Sequence, residues 1–396
     1  MEEQTPLYEE GKDWGWKRVS DFFGIREPFF ERLLFVEEYD ISSNIYVIEG
    51  DYLSIIDPGN DYTAYIELFK KGYSPRDIRK VVLTHGHPEH IAGIYEFVRS
   101  YPELIYEGIL TVYLHEDGPE ELKHVLKDMK CKHHFVSPGE KLELSGFELE
   151  VLFTPGHTID SICLYHAPSK SIFTGDTVLP YAVASPDPMG GGRIDYHLFS
   201  LKILMNMDIK HLFPGHGPPV ANEAQKVFEG TYAGIIKRIV GLETPWVEGA
   251  KFLAGKGYLE ECIFCCDKDL KENPDNLLAL SLKASCLSDL GRYEEAIEVF
   301  DRIMEIQPKS TFAIIGKGYA LMGLGRYDEA IELFDKALEL ERRAGIASVY
   351  KGMALYLSGR VEEAVKIPEF RQEFVVRFKK ELEKREGGKD AQGRKG

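Results

Sequence analysis

The chain has 396 residues, 44% of them hydrophobic, 12% aromatic and 29% charged, which excludes global disorder. At roughly 100–200 residues per domain this length predicts two or three domains. Lysine and arginine number 48 against 65 aspartates and glutamates, a net charge of −17, so polyphosphate is repelled at long range and nucleic acid is not an expected partner.

Up to Gly241, short β-rich runs alternate with helical stretches. Ile45–Ile48 and Leu53–Ile56 read as strands, and Tyr62–Lys71 as a helix. The strand Val81–Leu83 runs directly into Thr84-His85-Gly86-His87-Pro88-Glu89-His90, and the helix Ile91–Ser100 follows. A strand that delivers three histidines and a glutamate into a tight loop puts metal-ligand types where rigid backbone fixes their geometry.

Gly108–Leu114 (strand), Pro119–Met129 (helix) and Phe147–Phe153 (strand) come next. The last of these ends in Thr154-Pro155-Gly156-His157-Thr158. Strands Ser161–Tyr165 and Ile172–Thr174 lead to Gly175-Asp176-Thr177. Helix Asp195–Met207, the apolar run Lys210–Leu212 and then Pro214-Gly215-His216-Gly217 precede the helix Glu223–Val240. Each motif places one His or Asp beside Gly just after an apolar run. Together they supply five His, one Asp and one Glu, enough for two metal ions. Strands interleaved with helices argue for packed α/β layers.

Beyond Gly241 the strands stop and a 34-residue period begins. Gly257, Gly291, Gly325 and Gly359 form one column; Leu253, Leu287, Leu321 and Leu355 form a second. Ala250, Ala284, Gly318 and Gly352 make a column of small residues, as do Cys262, Ala296, Ala330 and Ala364. Such a period means stacked helix–turn–helix units, with the Gly column closing the first helix of each unit in a left-handed cap. A fourth unit loses its second helix at Pro368; a capping helix is expected over 369–385 and a disordered tail over 387–396.

Cys262, Cys265 and Cys266 include a C-x-x-C, but Cys262 and Cys266 occupy core columns of the repeat, so packing explains them. Sparse, crowded cysteines do not resemble a secreted disulfide framework. The acidic start has no apolar stretch, and no uncharged apolar run reaches membrane-spanning length. A cytoplasmic protein without membrane partners is expected, and the Glu, Lys and Arg excess leans towards a thermophile.

The His85 motif, His157, Asp176, His216 and the Asp57-Pro58-Gly59 turn fall in the order and rough spacing of the metallo-β-lactamase superfamily, which the first 240 residues resemble. "GRYEEAIEVF" and "GRYDEAIELF" resemble the tetratricopeptide repeat over 243–366. The resemblance implies an αββα metallo-β-lactamase sandwich over 14–241, followed by an all-α domain of helical repeats. It implies that His85, His87 and His157 hold one metal, His90 and His216 a second, and that Asp176 bridges them. Asp57 matches a residue that buttresses the histidine loop. Glu89 stands where the family has Asp; its extra methylene leaves three roles open, namely a ligand after a loop shift, the occupant of a weak site, or a base. Zinc is the first expectation and iron or manganese the second, because imidazole and carboxylate suit all three. Two such ions roughly 3.5–4 Å apart bridge a hydroxide and clamp the reacting group.

The implied chemistry is hydrolysis of an ester-like bond (thioester, lactone or phosphodiester) in a small-molecule substrate, closest to the glyoxalase II branch. Asp176, Glu89 and Asp57 are the expected catalytic residues. A single-iron persulfide dioxygenase and a scaffold whose repeats recruit a protein partner are the alternatives. The loop from Tyr181 to Arg193, rich in Pro and Gly, is expected to shape the site, with Tyr181, Asp187 and Arg193 as candidate substrate contacts.

Overall fold

The computed structural model describes residues 15–61, 63–341 and 344–373. Two compact units divide between Ile235 and Ile236.

The first unit is built on two mixed sheets. Seven strands pair in sequence order: β1 (Lys17–Arg18), β2 (Leu33–Val36), β3 (Ile45–Glu49), β4 (Leu53–Ile56), β5 (Ile78–Val82), β6 (Thr111–Leu114) and β7 (Lys132–Phe135). The pairs up to β3/β4 are antiparallel, and those from β4/β5 onward are parallel. The second sheet has the order β12-β11-β10-β9-β8, comprising β8 (Lys141–Leu144), β9 (Phe147–Phe153), β10 (Ile162–His166), β11 (Ser171–Gly175) and β12 (His211–Pro214). Only β11/β12 is parallel there.

Alternation along the strands sends side chains to two layers. Tyr46, Ile48, Ile56 and Val82 of the first sheet share a buried cluster with Leu149, Val151, Leu164 and Phe173 of the second, so the sheets pack face to face. Val47, Ile55, Val81 and Val112 point the other way, into a cluster with Tyr65, Leu68, Ile94, Phe97 and Leu122. Those residues come from α3 (Thr63–Lys70), α4 (Pro88–Ser100) and α6 (Glu120–Asp128). The short helices α1 (Val19–Phe23), α2 (Pro28–Glu31) and α5 (Glu103–Tyr106) complete that part of the chain. After β11 come α7 (Ile194–Met205), with Leu198, Leu201 and Leu204 buried, and α8 (Ala224–Val240). The result is the helix–sheet–sheet–helix layering that the resemblance implies.

Four short strands escape the sequence reading. β1 has only two residues. β2 is buried on both faces, so it lacks the alternating signature. β7 is fully exposed and polar, and β8 reads as a charged turn flank.

Every regular element among the described residues of the second unit is a helix. Helix pairs α9 (Trp246–Gly255)/α10 (Leu259–Glu272), α11 (Leu277–Asp289)/α12 (Tyr293–Ile306) and α13 (Thr311–Gly323)/α14 (Tyr327–Leu340) are followed by α15 (Gly345–Leu357) and a single-turn α16 (Val361–Ala364). The Gly column holds φ of +81°, +74°, +77° and +85°, the left-handed caps that the repeat requires. The small column has a steric cause: a Cβ on Gly318 would lie 2.6 Å from the Phe334 ring, and one on Gly352 2.3 Å from Phe370. Helical backbone resumes at 368–373; the rest of the expected capping helix and the expected tail lie outside the described residues. All six cysteines are free and buried, as packing predicts. Burial pushes the Cys265 thiol up to about 12.

Candidate metal centre

Every strand that ends in one of the singled-out motifs delivers its residue at its carboxyl end. Asp57 follows β4, His85 β5, His157 β9, Asp176 β11 and His216 β12, while Glu89 and His90 lie in the first turn of α4. Three overlapping groups result, in each of which the potential ligand atoms lie within 4.8 Å of one another: His85, His87 and His157; His85, His90 and Asp176; Glu89, His90 and His216. His87 Nδ1 is 3.1 Å from both His85 Nε2 and His157 Nε2. Asp176 stands between the groups, with carboxylate oxygens 3.4 Å from His90 Nε2, 3.8 Å from His157 Nε2 and 3.7 Å from His216 Nε2. Gly215 makes this approach possible, since a Cβ there would fall 2.2 Å from Asp176 Oδ1. Glu89 reaches the third group despite its longer side chain.

The ring nitrogens that face away from the cluster are each engaged. Asp57 is buried at a left-handed φ of 52°. Its carboxylate accepts from the Thr84 amide (2.7 Å), the Thr84 hydroxyl (2.7 Å) and His90 Nδ1 (2.8 Å), so it touches the histidine loop at three points. Asp187 Oδ2 lies 3.1 Å from His87 Nε2, and Glu38 Oε2 lies 2.7 Å from His216 Nδ1. His157 Nδ1 donates to the Ser185 carbonyl at 2.8 Å, and His85 Nδ1 is 3.1 Å from the Thr84 hydroxyl. A neutral ring that donates outward would present the lone pair of its inward nitrogen to a cation at the cluster.

Electrostatics follow from this crowding. Burial, with His90 close by, holds His85 well below its ordinary value, and burial lowers His157 as well. Burial opposes charge on His90 too, but Asp176 and Asp57 outweigh it and lift that imidazole to about 10. Burial would raise Asp176, yet His90 and the other imidazoles hold it far below the usual carboxylate range. His90 Nε2 and Asp176 Oδ1 face each other, buried and without a hydrogen bond. Such orphaned polar atoms are costly unless something between them satisfies both. A set of imidazole nitrogens around a carboxylate fits a divalent transition metal.

The loop contacts expected for substrate divide differently. Asp187 is turned onto His87, and Arg193 forms an ion pair with Asp195 at 2.6 Å and lies over the Tyr196 ring. Tyr181 remains 83% exposed. Sequence reasoning missed Glu38 and Ser185. His197 is a buried packing histidine that donates to the Thr177 carbonyl at 2.7 Å, which ties α7 to the Asp176 turn. No local pattern marks Glu38, which is 178 positions from the histidine it touches.

Residues 39–216 match a family model described as the metallo-beta-lactamase superfamily. Residues 315–367 match the tetratricopeptide repeat, and 255–337 match a model for subunit 3 of the anaphase-promoting complex, or cyclosome. An atrochrysone carboxyl ACP thioesterase from Aspergillus fumigatus is 27% identical over 188 residues, 47% of this chain and 54% of that one. A beta-lactamase-like protein 2 homolog from Caenorhabditis elegans is 26% identical over 192 residues, 47% of this chain and 60% of that one. The chain thus spans about half the length of the curated relatives it matches first. Among solved structures, a metallo-beta-lactamase family protein from Thermus thermophilus aligns with TM-score 0.40 and 22% identity, covering 61% of this chain and 93% of that one.

Proposed function

We propose, for a chain that carries a metallo-beta-lactamase domain over residues 39–216 followed by tetratricopeptide repeats, a metal-dependent hydrolase of ester-like bonds, with a thioester as the preferred substrate class. The observation that carries this reading is the convergence of five imidazoles, Glu89 and Asp176 around the orphaned pair His90 Nε2 and Asp176 Oδ1. Thioester is preferred over lactone and phosphodiester because several relatives of the first domain bear the name of ACP thioesterases.

In this proposal His85, His87 and His157 would hold one divalent ion and His90 and His216 a second, with Asp176 within reach of both; Glu89, also within reach of the second group, is assigned the role of base. Zinc is preferred, with iron or manganese compatible with the same donors. When bound, the ions supply Lewis acidity and a water that ionises near neutral pH. The chain's own residues supply the rest. Asp57, Asp187, Glu38 and the Ser185 carbonyl hold the rings in one tautomer and one orientation. Glu89 is the half-buried carboxylate at the cluster, and it takes up the proton of the attacking water and returns it to the leaving thiolate. The products are a carboxylic acid and a free thiol, so atoms and protons balance.

Residues 14–241 are proposed as the catalytic module and 243–366 as a module that recruits a protein partner. Among the described residues no helix is long and apolar enough to cross a membrane. The free, buried cysteines support a reducing, cytoplasmic setting.

Elemental analysis of protein purified without chelator is expected to find between one and two transition-metal ions per chain. That protein should hydrolyse an acetyl thioester faster than a lactone or a bis(p-nitrophenyl) phosphodiester. Absence of metal, with no hydrolysis after zinc, iron or manganese is added, overturns the reading. One iron per chain with oxygen consumption on a glutathione persulfide would transfer it to the dioxygenase alternative.

A further inference from the structure

A groove of about 380 Å³ opens between residues 179–183 and the face of α8 that carries Val227, Gly230 and Thr231. It lies wholly within the first unit. Leu179, Ala182, Val183 and Val227 make its lining mainly apolar. Its wall is the segment that also serves the imidazole cluster. Leu179 lies three residues after Asp176, and a Cβ on Gly217, next to His216, would come within 3.0 Å of Pro180. A few residues further on, the same segment offers the Ser185 carbonyl to His157 and the Asp187 carboxylate to His87.

Two glycines interrupt α8 at a spacing of one turn. Glycine inside a helix costs about 1 kcal/mol relative to alanine, so each calls for a reason. Gly234 has one in the fold, since a Cβ there would sit 2.5 Å from Val183 Cγ2. Gly230 has none: a Cβ there would meet nothing within 4 Å, and the position forms part of the groove lining. The backbone is bare where the fold leaves room for a side chain.

We infer that this groove is the acyl subsite of the proposed hydrolase, that it takes the hydrocarbon of a medium-chain acyl thioester, and that Gly230 sets the chain length accepted. The inference rests on the thioester reading of the centre. The acyl carbon bonded to sulfur is placed at the imidazole cluster, and the chain extends past Pro180 along residues 179–183. Tyr181 stands exposed at the rim. Each methylene that enters such a groove is worth roughly fourfold in kcat/KM until the space is full. A side chain at position 230 would occupy part of the groove and so shorten the hydrocarbon it accepts.

The test measures kcat/KM of the metal-loaded full chain on N-acetylcysteamine thioesters from acetyl to dodecanoyl. The parent protein is expected to rise with chain length and then reach a plateau. Gly230→Leu should lower the decanoyl-to-acetyl ratio at least tenfold, and Gly230→Ala should lower it less while raising the melting temperature. Unchanged metal content, with melting no lower than the parent's in both variants, would exclude misfolding as the cause. A flat profile in the parent, or a ratio that Gly230→Leu does not move, overturns the inference while leaving the thioesterase reading standing.

If no thioester is cleaved at all, it is the thioesterase reading that fails. Binding of the non-hydrolysable decanoyl amide of cysteamine, measured by calorimetry, then decides the groove by itself. Binding that weakens at least tenfold in Gly230→Leu supports the groove as a hydrocarbon site. Absent or unchanged binding overturns it.

Discussion

At the scale of single residues, the centre is defined as much by what holds the histidines as by the histidines. Asp187 and Glu38 each engage the outward nitrogen of a ring whose inward nitrogen faces the cluster. Loss of such a partner typically weakens metal retention 10–100-fold. Asp187→Ala is therefore expected to release metal to a competing chelator at about 10–100-fold lower chelator concentration, whereas Asp187→Asn, which keeps an acceptor oxygen, should lose less. Equal retention in all three proteins would reduce Asp187 to a loop residue. The candidate ligands were legible in the sequence because Thr84–His90 packs four of them into one turn. Their partners were not, because His87 and Asp187 are separated by 100 positions and only the folded loop brings them together. A second histidine effect lies away from the centre. His166 is buried against the Phe29 ring, and burial pushes its imidazole down to about 4. Between the unfolded value of about 6.5 and that value the unfolded chain binds a proton that the native chain refuses, so stability falls as pH is lowered through this window. Denaturant titrations should show a loss approaching about 3 kcal/mol from this group between pH 7 and pH 4, and His166→Gln should remove it.

At the scale of elements, the repeats were the most legible part of the chain and the sheet edges the least. A 34-residue column survives any local noise, whereas β7, four exposed residues reading Lys-His-His-Phe, offers neither alternation nor an apolar face. One repeating feature still passed unread. Lys283–Asp267, Lys317–Asp301 and Lys351–Asp335 are ion pairs at the same register, each joining the second helix of one unit to the first helix of the next. Columns of Asp and Lys are visible in the sequence, but which faces meet is not. With one-quarter to one-half of each side chain exposed, these pairs contribute no more than about 1 kcal/mol apiece and fix register more than stability. Stability comes from the buried columns. Leu321 is 2% exposed, and Leu321→Ala is expected to cost about 2–5 kcal/mol in the helical unit. Calorimetry should show the transition of the repeats lowered first, with metal content unchanged until the second transition, since all seven candidate ligands precede Pro218. A single transition that carries the metal away with it would mean that the two units share their stability.

At the scale of the whole molecule, the candidate ligands extend from His85 to His216 and are drawn from the ends of strands of both sheets and the first turn of α4. Their order along the chain gives the centre a chronology. During synthesis, domains fold from the amino-terminal side as chain becomes available. The group His85, His87 and His157 is complete in sequence 59 residues before His216 exists, and the group that needs His216 closes only with β12. In the proposed assignment, a nascent chain halted between these points has His85, His87 and His157 for one ion and lacks a single donor of the second group, His216. In that assignment, filling of the later position would report that β12 has joined the second sheet. Under that assignment, the metal content of chains arrested during synthesis would rise in two steps, the second only once His216 has emerged.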